Sequence, residues 1–163
     1  MERLNETGAS SALRKRFREG GTTLGICLGM QLAFDGSSEQ GGAAGLGIIA
    51  GEVAALSPGR LKLPHIGWNE VRFTRPDSPL IAGLPSECAF YHVHSFAAVP
   101  DCQEDVLGVA GYGAPFVSAV QRGSFYGVQF HPEKSSAAGL RLLANFARIC
   151  IARPRARHVP LAS

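Results

Sequence analysis

The sequence predicts an α/β domain built on a mixed sheet flanked by helices. Three observations predict it. A strand, a sharp turn and a helix follow one another without a loop over residues 22–34. Short segments rich in valine and phenylalanine, separated by Gly and Pro, fill residues 48–130, and an amphipathic helix follows them. With 163 residues, 45% hydrophobic and 18% charged, one well-buried core is expected and a second is not. No repeat or linker interrupts the pattern, so residues 1–152 are expected to form a single domain and 153–163 a disordered tail.

In chain order, residues 10–19 carry helix formers with Leu13 and Phe17 four apart, and Gly20-Gly21 ends the helix. A short strand over 22–26 runs straight into Cys27, and after Gly29 residues 30–34 read as a helix. Residues 36–47 are rich in Gly and Ser, with Glu39 among their few charges, and read as an irregular connection. Strands are expected over 48–56, 67–73, 88–94, 106–111, 115–121 and 125–130. In the closing helix, 137–151, Leu140, Leu143, Phe146 and Ile151 recur at helical spacing and are expected to face the core.

Composition narrows the function. No apolar run is long enough to cross a bilayer, and the polar start Met1-Glu2-Arg3-Leu4 is unlike a secretory signal, so a cytoplasmic protein is expected. The net charge is +3. Its basic residues gather at Arg14-Lys15-Arg16 with Arg18, read as the solvated side of a helix, and at Arg153, Arg155 and Arg157. Neither group is interleaved with aromatic residues, so no nucleic-acid partner is expected. The four cysteines show no CxxC pair. Cys88 and Cys150 read as small buried hydrophobes and Cys102 as a loop residue.

Cys27 stands apart. Gly25-Ile26-Cys27-Leu28-Gly29 is the cysteine form of a nucleophile elbow. A nucleophile at the tip of a tight strand-to-helix turn adopts strained dihedrals, and flanking glycines admit neighbouring backbone. The helix behind it is expected to aim its N-terminal N–H groups at the sulfur and lower the thiol pKa. The Leu28 N–H is placed to stabilise an oxyanion. The bland alternative is a buried cysteine in a glycine-rich turn.

A thiol nucleophile needs a base, and the base needs a group that fixes its tautomer. Residues 127–133, GVQFHPE, end an apolar strand with His131, and Pro132 turns the chain so that Glu133 can fold back toward the ring. Alone, such a histidine is more often structural, and Glu133 could cap the last helix. Together with Cys27 at a second strand end, the pair reads as catalytic. A zinc site using His92 and His94, two residues apart on one strand face, is the competing reading, but no spaced Cys or acidic ligand accompanies them. No metal or cofactor is expected.

Taken together, GICLGMQ (25–31), PHIGWN (64–69), His94-Ser95 and GVQFHPEKS (127–135) resemble the glutaminase subunits of imidazole glycerol phosphate synthases, within the class I (triad) glutamine amidotransferases. The resemblance runs from about Arg14 to Arg148. It implies a flavodoxin-like mixed sheet and a Cys27–His131–Glu133 triad that hydrolyses glutamine to glutamate and ammonia. It implies that Gln31, Glu39 and the segment His94-Ser95-Phe96 hold the substrate. It also implies that Trp68, Asn69, Tyr91 and Lys134 face a (β/α)8-barrel synthase subunit, which takes up the ammonia in histidine biosynthesis. Each has a bland reading: Gln31 as a surface residue, Trp68 as core, and His65 and Ser95 as partners of local backbone.

Two small departures occur: His92 stands where the family usually has an aromatic, and Phe96 where it usually has tyrosine. A larger one lies at the front. Family members begin with a strand, a helix, further strands and a glycine-rich P-G-V-G loop that supplies the second oxyanion donor. The sequence therefore reads as N-terminally truncated, lacking the first strand or strands. The alternative functional reading is a catalytically impaired module that keeps the partner-facing residues.

Overall fold

A computed structural model describes residues 1–152, apart from the side chain of Gln40. The tail at 153–163 lies outside the described residues. Among the described residues four α-helices, α1 (Glu2–Glu6), α2 (Ala9–Arg18), α3 (Leu28–Gln31) and α4 (Ser136–Ala152), accompany ten strands. The strands are β1 (Thr23–Ile26), β2 (Gly36–Ser37), β3 (Ala43–Ala44), β4 (Gly51–Ala55), β5 (His65–Phe73), β6 (Glu87–His94), β7 (Phe96–Pro100), β8 (Val106–Tyr112), β9 (Ala114–Arg122) and β10 (Phe125–Val128).

The sheet is mixed, with neighbours in the order β3-β2-β4-β7-β9-β8-β5-β6. Strand β9 forks it. Its start pairs with β7 through Ala98 and Val117, and its end pairs with β10 from Val128–Ala119 to Phe125–Arg122. Beyond β10 lies β1, parallel to it, with Ile26 opposite Val128. Gly123, at φ 57°, supplies the left-handed residue that closes the tight β9–β10 turn. The parallel pair brings the two strand ends that lead into Cys27 and His131 side by side.

Side chains alternate across the sheet, and so do the two cores. Ala97, Ala119, Tyr126 and Val128 face one apolar cluster with Phe90, Phe130, Leu142 and Ile149. Their neighbours Ala98, Val120 and Phe125 face the other, with Met30, Phe34, Ile49 and Val53. Helix α4 covers the first face. Leu13 and Phe17 of α2 pack against the second, as their spacing predicts.

Several expectations are corrected. The face that α4 buries is Gly139, Leu142, Asn145 and Ile149, whereas Leu140 is 65% and Ile151 83% exposed. Asn145 sets this rotation, because its amide donates to Leu80 O (3.0 Å) and Ala82 O (2.8 Å). Cys150 is exposed and Cys88 half-buried, so neither is a fully buried hydrophobe. Strand β7 is additional to the expected strands, and β4 is shorter than 48–56. The Ile48 and Ile49 N–H groups instead donate to Ala33 O. Residues 36–47, expected to be irregular, hold the two-residue strands β2 and β3. Arg14 is no mere solvated charge: it donates to Leu46 O and Gly45 O, both at 2.9 Å, and ties α2 to that segment. Arg16 likewise donates to Thr22 O, beside the start of β1.

Candidate active site

Strand β1 delivers Cys27 at φ 50° and ψ −109°, a left-handed backbone uncommon for a non-glycine residue. The turn is held because the Cys27 N–H donates to Val128 O (2.8 Å) while its carbonyl accepts from Met30 and Gln31. A Cβ at Gly25 would lie 2.5 Å from Gly29 O, so Gly25 is required by close approach. Gly29 has open space around it, so the elbow rests on one glycine and not two.

The sulfur is hydrogen-bonded to Val93 O (3.9 Å) and accepts from Gln129 Nε2 (3.7 Å). Burial pushes the Cys27 thiol above its usual range. The Leu28 N–H and the Gln129 amide pull it down without reversing the shift, and Glu133 adds to the rise. This corrects the expected lowering. Helix α3 is a single turn of four residues, and desolvation outweighs what its N–H groups contribute.

His131 follows β10 and is fastened to β6, its N–H donating to Tyr91 O (2.8 Å). Ser135, fully buried, donates to His131 O (2.6 Å) and accepts from the Tyr91 N–H (3.0 Å). The ring Nδ1 meets Glu133 Oε1 at 2.8 Å. A carboxylate accepts only, so Nδ1 carries the proton and Nε2 is left with its lone pair. Among the described residues His131 is not a hydrogen-bond partner of the Cys27 sulfur.

Gln31 Nε2 donates to Phe96 O and to Gln129 Oε1, each at 3.0 Å, so its own carbonyl oxygen stays available. His94 is buried, with Nδ1 donating to Phe96 O (2.8 Å), and it can hold a ligand only through its backbone. Ser95 is half-buried, and its carbonyl accepts from Leu56 N. Glu39 is exposed on a short 3₁₀ turn, and no described side-chain contact joins its carboxylate to these groups.

On β5, Trp68 is 55% exposed and meets Tyr91 edge-on at 6.2 Å, which excludes the core reading for it. Asn69 points to the opposite strand face, where its amide donates to Gly111 O (2.8 Å) and bonds His65 Nε2 (3.3 Å). Lys134 is exposed beside Glu133.

His65, His92 and His94 form a buried cluster whose tautomers follow from their partners. His94 Nδ1 must donate to the Phe96 carbonyl, so His94 Nε2 accepts from His65 Nδ1 (3.1 Å). His65 Nε2 then accepts from Asn69. His92 Nδ1 donates to Phe90 O and its Nε2 accepts from Ser118 Oγ (2.9 Å). Every ring nitrogen of the cluster is committed to a protein partner, which argues against the zinc reading of His92 and His94.

The cluster sets a pH dependence. Burial, with the neighbouring histidines, pushes His92 down to about 3 and His94 to about 4, and burial also lowers His65. Since these folded-state values lie below the unfolded value of about 6.5, the unfolded chain takes up protons first as the pH falls. Stability is therefore full above about pH 6.5 and declines toward pH 4, by up to about 1.4 kcal/mol per pH unit for each of His92 and His94. The urea midpoint is expected to be lower at pH 5 than at pH 7, with a shallower fall in His92→Gln. Equal slopes in the two proteins would contradict the assignment.

Sequence reasoning passed over Gln129, Ser135 and Gly139. Gln129 and Ser135 lie inside GVQFHPEKS, but Gln129 meets Gln31 and Cys27, and Ser135 meets the Tyr91 N–H, all distant in the chain.

The fold and this cysteine elbow beside a histidine–glutamate pair define a class. The family description Glutamine amidotransferase class-I matches residues 3–150, and the chain belongs to that family. Within it, the chain is 48% identical over 149 residues to imidazole glycerol phosphate synthase subunit HisH of Moorella thermoacetica, covering 91% of this chain and 70% of that one. It is 48% identical over 153 residues to the HisH subunit of Methylococcus capsulatus (90% and 68%) and 46% identical to that of Wolinella succinogenes (91% and 74%). It is thus a member of the HisH subunit family. Solved structures agree in fold. A crystal structure of a glutamine amidotransferase superposes with TM-score 0.62 at 20% identity, covering 90% of this chain and 70% of that one. PurLQS from Thermotoga maritima superposes with TM-score 0.66 at 15% identity, covering 86% of this chain and 67% of that one. No described helix is long and apolar enough to cross a membrane.

Proposed function

We propose that this chain hydrolyses glutamine to glutamate and ammonia for a (β/α)8-barrel synthase subunit in histidine biosynthesis. The observation that carries the reading is the Nδ1–carboxylate pair of His131 and Glu133 at the end of β10, next to the strained Cys27 elbow at the end of parallel β1. Cys27 passes its proton to His131 Nε2 and its sulfur attacks the side-chain amide carbon. The Leu28 N–H receives the oxyanion. As the C–N bond breaks, the imidazolium gives its proton to the leaving ammonia. Water then attacks the thioester, with His131 as base, and releases glutamate and the Cys27 thiol. Glu133 holds the ring and stabilises its charged form.

In this reading the free carbonyl of Gln31, the hydroxyl of Ser95 and the backbone of His94-Ser95-Phe96 hold the amino-acid end of the substrate, with Glu39 supplying a charge at the rim. Trp68, Tyr91 and Lys134 belong to the side that meets the barrel, while Asn69, on the opposite face of β5, supports that strand from behind through Gly111 O and His65. Ammonia crosses there without entering bulk water, and the barrel makes imidazole glycerol phosphate and the aminoimidazole carboxamide ribotide. The experiment is labelling of the full chain with a diazoketone analogue of glutamine. The adduct is expected on Cys27 and suppressed by glutamine. Labelling confined to Cys88, Cys102 or Cys150, or indifferent to glutamine, overturns the reading.

One observation favours a second reading, a partner-binding module with impaired turnover: the sulfur bonds Val93 O and not His131. Glutamine-protected labelling of Cys27 with no ammonia release, by itself or with the barrel partner, would select it.

A further inference from the structure

We propose that Gln129 is a further residue of the catalytic site, its amide donating to the Cys27 sulfur and favouring the thiolate, with Gln31 fixing its orientation. The inference rests on the reading of Cys27 as nucleophile and adds a residue to it.

Gln129 is fully buried just beyond β10, and its backbone N–H donates to Ser118 O (2.8 Å). Which end of its amide faces the sulfur is decided by its partners. Phe96 O can only accept, so the group that Gln31 presents to it must be the NH₂. The same NH₂ therefore donates to Gln129, whose Oε1 faces Gln31 and whose Nε2 faces Cys27. A flipped Gln129 would oppose two donors and turn an acceptor toward the sulfur. Phe96 O in turn receives the His94 Nδ1–H, and through His65 the chain of donors runs back to Asn69. Every link has one direction, so the amide at the sulfur cannot turn without breaking its bonds to Gln31 and Cys27.

The chemistry follows from placement. A donor to sulfur gains strength when the sulfur becomes an anion. The thiol is otherwise disfavoured from ionising by burial and by Glu133, and Gln129 is one of two groups acting the other way. An amide does this without a charge of its own, so it does not compete with His131 for the proton.

The test is the pH dependence of Cys27 alkylation by iodoacetamide in the full chain, followed by mass spectrometry of the Cys27 peptide. Gln129→Met keeps the length of the side chain and removes the donor. Its alkylation midpoint is expected to rise by about one pH unit, a roughly tenfold lower thiolate fraction at a given pH below it. Gln129→Glu is expected to rise further, since a carboxylate repels the thiolate. An unchanged midpoint in folded Gln129→Met overturns the proposal. Where that variant fails to fold, Gln31→Met reads the same orientation: an upward midpoint supports it and an unchanged one overturns it. Alkylation needs no turnover, so failure here is distinct from failure of glutamine-protected labelling at Cys27.

Discussion

Replacing Cys27 with alanine is expected to lower ammonia release from glutamine by roughly 10⁴-fold or more, with the folded stability changed by less than about 1 kcal/mol. The asymmetry follows from the site. The sulfur is only half-buried and makes two long contacts, to Val93 O and Gln129 Nε2, so few packing atoms are lost. On the proposed mechanism the reaction, however, loses the group that forms the bond with the substrate carbon. His131 and Glu133 cannot substitute, because a base without its nucleophile leaves water to attack an amide directly. Ammonia release should be measured with and without the barrel partner, beside Cys88→Ala as a control that keeps turnover. Residual activity in Cys27→Ala within tenfold of the parent would sink the nucleophile assignment.

Gly139→Ala should destabilise the chain by about 2–3 kcal/mol, lowering the melting temperature by about 4–10 °C. The sign is opposite to what a helix interior normally gives, where alanine is favoured over glycine by about 1 kcal/mol. Here α4 crosses the turn that carries His131 and Glu133. A Cβ on Gly139 would collide with Pro132 O and lie 2.9 Å from Ser135 Cβ. Both obstacles are fixed, one being backbone and the other a side chain bonded to His131 O and the Tyr91 N–H. The turn must therefore move, and the imidazole with it. Ammonia release should fall with the melting temperature, while the pH midpoint of Cys27 alkylation stays near that of the parent. A melting temperature equal to or above the parent's would refute the contact.

The elbow at Cys27 and the pairing of His131 with Glu133 were legible in the sequence because both are local. A strand that ends in G-x-C-x-G can only turn sharply, and a proline after His131 folds Glu133 back within two residues. The mixed sheet was legible for a similar reason, since β-rich segments between two helices leave few ways to bury both faces. Spacing failed where a distant contact outweighed it. Leu140 and Ile151 have the right period for a core face, but Asn145 and Gly139 turn α4 toward Leu80, Ala82 and Pro132. Asn69 and Trp68 are adjacent in a motif and point to opposite faces of β5.

The sequence by itself determined the α/β class, the strained elbow at Cys27, the pairing of His131 with Glu133, and the family, because these depend on neighbours in the chain and on motifs only a few residues long. The tertiary structure alone decided the state of the site. The sulfur's ionisation is a balance between burial and donors that arrive from α3 and from Gln129, just beyond β10. The tautomers of three histidines follow from partners spread over β5, β6, β7 and β9. Gln129 is silent in the sequence because its role exists only once Gln31, Phe96 and Cys27 have been brought around it.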